Sequence, residues 1–158
     1  MPYDAAMSTL RLEQLNAKYI IAANALSLKP GQAQYIAPVS YSAAVSVVNP
    51  DTAWQRVVVD DETDEVVGFI HGSFDPDADR DEFSAALWRI HVDARGQGRG
   101  IGRFAVDALA DEARSRGCAA LYVIYEPGEE GPGPFFEHVG FETIGETPYG
   151  ESVGRMPM

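Results

Sequence analysis

Gly96, Gly98, Gly100 and Gly102 stand at alternate positions with Arg95, Arg99 and Arg103 among and just after them, and no other stretch of the chain is so plainly built for chemistry. Glycine lets the backbone approach a ligand closely and leaves successive N–H groups free to face an anion. The arginines add positive charge, and a helix beginning at the turn brings the positive end of its dipole to the same place. Together they describe a phosphate cradle, although ordinary tight turns use glycine too, so its surroundings must decide. A P-loop needs Lys and Ser or Thr directly after the glycines, and none follows here. Gly100 to Ala105 fits the letters of a dinucleotide fingerprint, with Glu126 near the offset of its ribose-binding acid. That turn, however, closes the first strand of a βαβ unit, whereas about 90 residues precede this one.

The remaining chemistry is acidic and uneven. The formal net charge is −12, six of the twelve Lys and Arg lie between Arg89 and Arg116, and only Arg155 follows. Seven glutamates, from Glu126 to Glu151, populate the last third with no basic residue between them. Such a field repels nucleic acid and anionic membranes and draws in small cations. The acid runs Asp60 to Glu65 and Asp75 to Glu82 also fit solvated loops that serve solubility. Cys118 has no companion for a disulfide or a metal site. No apolar run approaches the roughly 18 residues of a membrane span, and the start Met1-Pro2-Tyr3-Asp4 lacks the basic residues of a signal peptide. A single domain over 1–158, cytoplasmic and without metal, is the expectation.

The elements that must position these residues follow from periodicity. Thr9 to Leu12 alternates as a short strand, and Asn16 caps a helix with Tyr19, Ile20, Ala23 and Leu26 on one face, broken by Lys29 to Gln32. A second helix spans Ser40 to Val48. Trp54–Asp60 and Val66–Phe74 form a hairpin about Asp61–Asp64, and Asp75–Asp81 is an exposed loop. Phe83–Val92 is the strand that delivers the chain to the glycine turn, with Trp88 read as core rather than as a substrate platform. The helix from Ile101 buries Ala105, Ala108 and Leu109, shows Arg103, Asp107, Asp111 and Arg114 to water, and stops at Gly117. Ala119–Tyr125 is a buried strand parallel to the one before the helix, with Cys118 packed at its start. After an irregular Gly128–Pro134 come a short helix, Phe135–Val139, and strands at Phe141–Ile144 and Ser152–Met156.

Gln97-Gly98-Arg99-Gly100-Ile101-Gly102, five residues after Val92, resembles the Gln/Arg-x-x-Gly-x-Gly/Ala motif of the GNAT acetyltransferases. Arg95 to Gly100 matches the same letters one step earlier, and the spacing from Val92 favours Gln97. The element order β-α-α-β-β-β-α-β-α-β-β agrees with that fold: a mixed, mostly antiparallel sheet, its central parallel pair splayed around the coenzyme, helices on both faces. Leu28 to Gln32, Tyr35 to Pro38, Ser42, Val67-Gly68-Phe69, Trp88-Arg89, Val92-Asp93, Gly140-Phe141, Gly145-Glu146 and Gly150-Glu151 are similar to the bacterial spermine/spermidine (diamine) acetyltransferase subgroup, over roughly residues 9–158.

The resemblance implies acetyl coenzyme A as co-substrate, a small cationic amine such as spermidine or spermine as acceptor, and a homodimer as an available assembly. It implies that backbone groups of Ile90, His91 and Val92 meet the pantetheine arm, that Gln97, Gly98, Arg99, Gly100, Ile101, Gly102 and Arg103 hold the pyrophosphate, and that Phe136 packs against the arm. Family members commonly carry Tyr at the position of Phe136, where the hydroxyl protonates the leaving thiolate. Phe136 has no proton to give, so Tyr125 or Tyr122 is a replacement acid unless each is core. Glu126, at a strand end facing the coenzyme, is either the base that frees the amine or a solvated carboxylate. Glu129, Glu130 and Glu151 are the acids expected to hold a cationic acceptor. His91 reads as an ordinary strand residue ahead of a proton carrier, and Arg89 either pairs with a buried acid or positions an acceptor. Two rivals remain: an enzyme acting on protein amines or an aminoglycoside, and a coenzyme-binding regulatory module that has lost catalysis.

Overall fold

The structure is a computed structural model that describes residues 10–26, 50–94, 100–128 and 131–158. The elements are β1 (Leu10–Gln14), α1 (Ile20–Asn24), β2 (Ala53–Asp60), β3 (Glu65–Phe74), α2 (Asp81–Ser84), β4 (Ala85–Val92), α3 (Ile101–Ser115), β5 (Ala120–Tyr125), α4 (Gly133–His138), β6 (Glu142–Glu146) and β7 (Ser152–Pro157). The strands form one sheet in the order β1-β2-β3-β4-β5-β7-β6, antiparallel everywhere except between β4 and β5. Parallel neighbours need a crossover, and α3 provides it.

Two apolar clusters fix the layers. On one face Ile101, Ala105, Val106, Leu109, Ala110 and Ala113 of α3, with Phe136 and Val139 from α4 and the residue after it, pack on Val58, Ile70, Leu87, Leu121 and Val123. On the other, Tyr19 and Ala23 cover Val57, Val59 and Phe69. The division follows the two-residue period of the strands, so that neighbours Val57 and Val58 serve opposite layers. Gly72 fits beneath α3 because a Cβ there would stand 2.5 Å from Leu109 Cδ1. Helix α3 closes with Gly117 at φ +77°, its N–H bonded to the Arg114 carbonyl and that of Cys118 to Ala113. This double bond pattern ends a helix cleanly and needs a residue tolerant of positive φ.

Several boundaries depart from the sequence expectations. Asn16 Oδ1 accepts from the N–H groups of Lys18 and Tyr19 and its carbonyl from those of Tyr19 and Ile20, as expected of a cap, while the regular helix spans only Ile20–Asn24. Phe83 is not in a strand. Arg80 to Ser84 closes into a single turn, held by Phe83 N–H on the Arg80 carbonyl and Ser84 Oγ on that of Asp81, and β4 starts after it. Helix α4 begins at Gly133, earlier than expected, because Pro134 sits in its first turn, where a missing N–H leaves nothing unpaired. The acids Asp61 and Asp64 are not merely solvated, since both bind the Arg11 guanidinium from the neighbouring strand. The expected helix at 40–48 and the break at 29–32 lie outside the described residues.

Candidate active site

Strands β4 and β5 pair only at Ala86–Tyr122 and Leu87–Val123, and beyond these they part. The cause lies on the other side of β4. Against β3, His71 faces Arg89 and Gly72 faces Leu87, so Trp88 is an extra residue with no partner. Such a bulge bends its strand and sharpens its twist. The sheet therefore opens at Trp88, and Ile90 and Val92 past the opening pack toward the α3 layer.

The α3 side of this opening is made of backbone. Gly100 holds φ +85° as the N-cap, the first helical bond runs from Phe104 N–H to the Gly100 carbonyl, and the first turn holds no acid. The amides of Ile101, Gly102 and Arg103, which precede the first helical bond, are thus free of partners within the 15-residue helix itself. These residues fit a phosphate group. Gln97, Gly98 and Arg99 lie outside the described residues. Arg103 also has a structural contact: its Nη2 donates to the His138 carbonyl at 2.8 Å and ties α3 to the end of α4. Gly102 has a packing role as well, because a Cβ there would come within 2.9 Å of the Phe135 ring. Phe136 is buried among Tyr125, Phe135 and Phe141, with ring centroids 5.3, 5.5 and 5.8 Å away.

The opposite side is a cavity of about 530 Å³ built from side chains. Ala86, Trp88 and Arg89 of β4 and Ile124 of β5 form its floor, α2 brings Glu82 and Phe83, and the β6–β7 loop brings Tyr149 and Glu151. Trp88 is accordingly not core. The bulge turns it out, leaving it 38% exposed with its ring 5.4 Å from that of His71. Phe83 and Tyr149, 45% and 89% exposed, belong to the same wall.

Charge in the cavity is balanced rather than acidic. Arg80 holds Glu82 at 2.6 Å, Glu151 accepts from Thr147 Oγ1 at 3.3 Å, and Arg89 brings a further cation. Glu129 and Glu130 lie outside the described residues. Glu126 follows β5 as an exposed carboxylate, two residues after Ile124. The Tyr125 hydroxyl shares a hydrogen bond of 2.8 Å with Thr143 Oγ1 on β6, and Tyr122 accepts from Arg155 Nε at 3.3 Å. Both phenols are therefore engaged on the β6–β7 side, and β5 is only half-buried at Tyr122, Ile124 and Tyr125. Cys118 is half-buried at the edge of the core.

Two histidines are buried in the neighbouring strands β3 and β4, His71 against Trp88 of the cavity. His71 was not singled out in the sequence, though a polar residue in the apolar run from Val66 to Phe74 is a signal. Burial first, and the Arg89 charge second, lower its pKa to about 4. Gln55 Nε2 lies 3.3 Å from its Nδ1, and an amide donor there puts the ring's own proton on Nε2. His91 is also buried. Burial lowers its pKa, opposed by the Leu26 carbonyl and the Asp93 carboxylate.

Residues 32–141 match the acetyltransferase (GNAT) family, and the chain belongs to it. No curated protein matches the sequence. Among solved structures, the fold is similar to a nourseothricin acetyltransferase at 16% identity and TM-score 0.69, over 94% of this chain and 98% of that one. It is similar to the ribosomal-protein-S18-alanine N-acetyltransferase of Escherichia coli at 19% and 0.67, over 94% and 93%. A PaiA N-acetyltransferase of Thermoplasma acidophilum in complex with coenzyme A aligns at 12% and 0.69, over 94% and 99%. The protein is an acetyl-coenzyme-A-dependent N-acetyltransferase with the mixed sheet and central parallel pair of that fold.

Proposed function

We propose that the acceptor is a primary amine of a small molecule, held in the cavity of Trp88, Arg89, Ile124 and Glu151, and that acetyl coenzyme A approaches from the α3 side. One observation carries this reading: the helix amides and the cavity lie on opposite faces of the sheet, and they meet where β4 and β5 part. The amine sheds its proton and attacks the thioester carbonyl, a C–N bond forms, the C–S bond breaks and coenzyme A leaves as a thiolate. Glu126 at the end of β5 is the proposed base, directly or through water. A thiol of pKa about 8.5 is a serviceable leaving group without an acid, which fits Phe136 in place of a tyrosine.

Two kinds of small amine compete for this cavity. A polyamine is favoured by the acids Glu126 and Glu151 at and beside its wall, with Glu129 and Glu130 next in sequence. An amine accompanied by an anionic group is favoured by Arg89. Kinetics of coenzyme A release with spermidine, spermine and simple monoamines at rising ionic strength ranks them. For a polyamine, each exposed contact supplies about 1 kcal/mol at most. KM should then rise with salt, and neutralising Glu129, Glu130 and Glu151 together should raise KM more than it lowers kcat. No coenzyme A release with any amine would overturn the small-amine reading.

A further inference from the structure

Among the described residues Arg89 has no carboxylate partner. Its Nη1 donates to the carbonyl of Trp88 at 2.7 Å, and its Nε is buried with no acceptor among them. The two acids on the same wall are engaged elsewhere, Glu82 with Arg80 and Glu151 with Thr147. A buried guanidinium N–H with no acceptor, such as this Nε, costs free energy in the unliganded protein. Among the described residues there is no buried acid that makes Arg89 a structural pair. Its planar fork suits a carboxylate or phosphate held by two parallel bonds.

Position adds to chemistry. Arg89 follows the bulged Trp88, so an anion bound to it lies beside the opening between β4 and β5. The exposed faces of Phe83, Trp88 and Tyr149 suit a short carbon skeleton, and Glu151 suits an ammonium. We propose that Arg89 determines specificity by receiving an anionic group, carboxylate or phosphate, on the same small molecule whose amine is acetylated. This rests on the small-amine reading and narrows it: the acceptor is an amino acid or aminoalkyl phosphate rather than a polycation.

The test compares γ-aminobutyrate, L-alanine, aminoethyl phosphate, butylamine and spermidine, by coenzyme A release and by calorimetric binding to the coenzyme-A-loaded protein. The native chain should bind and acetylate at least one anionic amine in preference to butylamine and spermidine, and the carboxylates against the phosphate identify the anion. Arg89→Gln should weaken that acceptor about tenfold or more, equivalent to at least about 1.4 kcal/mol, while butylamine and acetyl coenzyme A change less than about twofold. Arg89→Lys should recover part of the loss. If anionic amines bind through Arg89 but none is acetylated, Arg89 remains an anion-binding residue, while the small-amine function and with it the role of Arg89 in acceptor specificity are overturned. Spermidine or butylamine preferred, with the preference unmoved by Arg89→Gln, overturns the assignment. So does equal loss of Tm in Arg89→Gln and Glu151→Gln without a change in selectivity, since the two residues would then be each other's partners.

Discussion

The two sides of the sheet opening are built from different materials. The α3 side is backbone and core: amides at a helix start, a glycine at positive φ, and a cluster of aromatic rings around Phe136. The cavity side is made of exposed aromatic and charged side chains carried on a bulge, a four-residue helical turn and a hairpin loop. Backbone amides bind a phosphate whatever side chains surround them, so the first side suits the co-substrate common to a family, as proposed above. Side chains on loops change without disturbing the fold, so the second is where one member departs from another.

Four perturbations sharpen this division. Leu109→Ala reaches both sides through the shared core, where the side chain is fully buried, and should cost about 2–5 kcal/mol in chemical denaturation. If it lowers coenzyme binding without lowering stability, α3 is not the common support described here. Gly100→Val should confine its damage to the coenzyme side. A β-branched residue at φ +85° carries about 1–2 kcal/mol of strain, and the rise in Tm given by acetyl coenzyme A should vanish. An undiminished ligand-induced rise would place the pyrophosphate elsewhere.

His71 tests the cavity side through pH. Its pKa of about 4 lies below the ordinary value of 6.5, so the folded protein binds this proton less readily than the unfolded chain. Stability from His71 is fully present above pH 6.5 and is lost as pH falls toward 4, with His91 acting in the same direction. In a pH series of melting curves, His71→Gln should flatten the decline over that window and leave Tm above it with little pH dependence. The smallest effect is expected of Phe136→Tyr. The added hydroxyl enters a site walled by three rings and should cost about 1 kcal/mol, with turnover and its alkaline limb nearly unchanged. A clear gain in rate at high pH would show that the missing acid does limit release.

What was legible in the sequence tracks the same division. The α3 cradle, the hairpin about Asp61–Asp64 and the parallel β4–β5 pair follow from spacing within short stretches, because glycine conformation and strand alternation are local properties. The cavity depends on alignment between separated strands. That Trp88 is the unpaired residue is settled by where His71 and Gly72 fall on β3, which no spacing within β4 announces. That no described carboxylate pairs with Arg89 becomes visible only once α2 and the β6–β7 loop have brought Glu82 and Glu151 to the same wall, each already engaged. Gly102 was legible by position but not by reason, since its closeness to Phe135 comes from α4, some thirty residues on.

The two-rung join between β4 and β5 also bears on how the chain folds. β1 to β4 pair in order of sequence, and β6 and β7 form a hairpin that adds to β5. Each group is a leaf closed by antiparallel pairs, whereas the seam between them relies on two residue pairs and the α3 crossover. Amide exchange should accordingly resolve two blocks of protection meeting at Leu87 and Val123, and the seam, the pairing that waits on a whole helix, should be the step that lags behind the closure of either leaf.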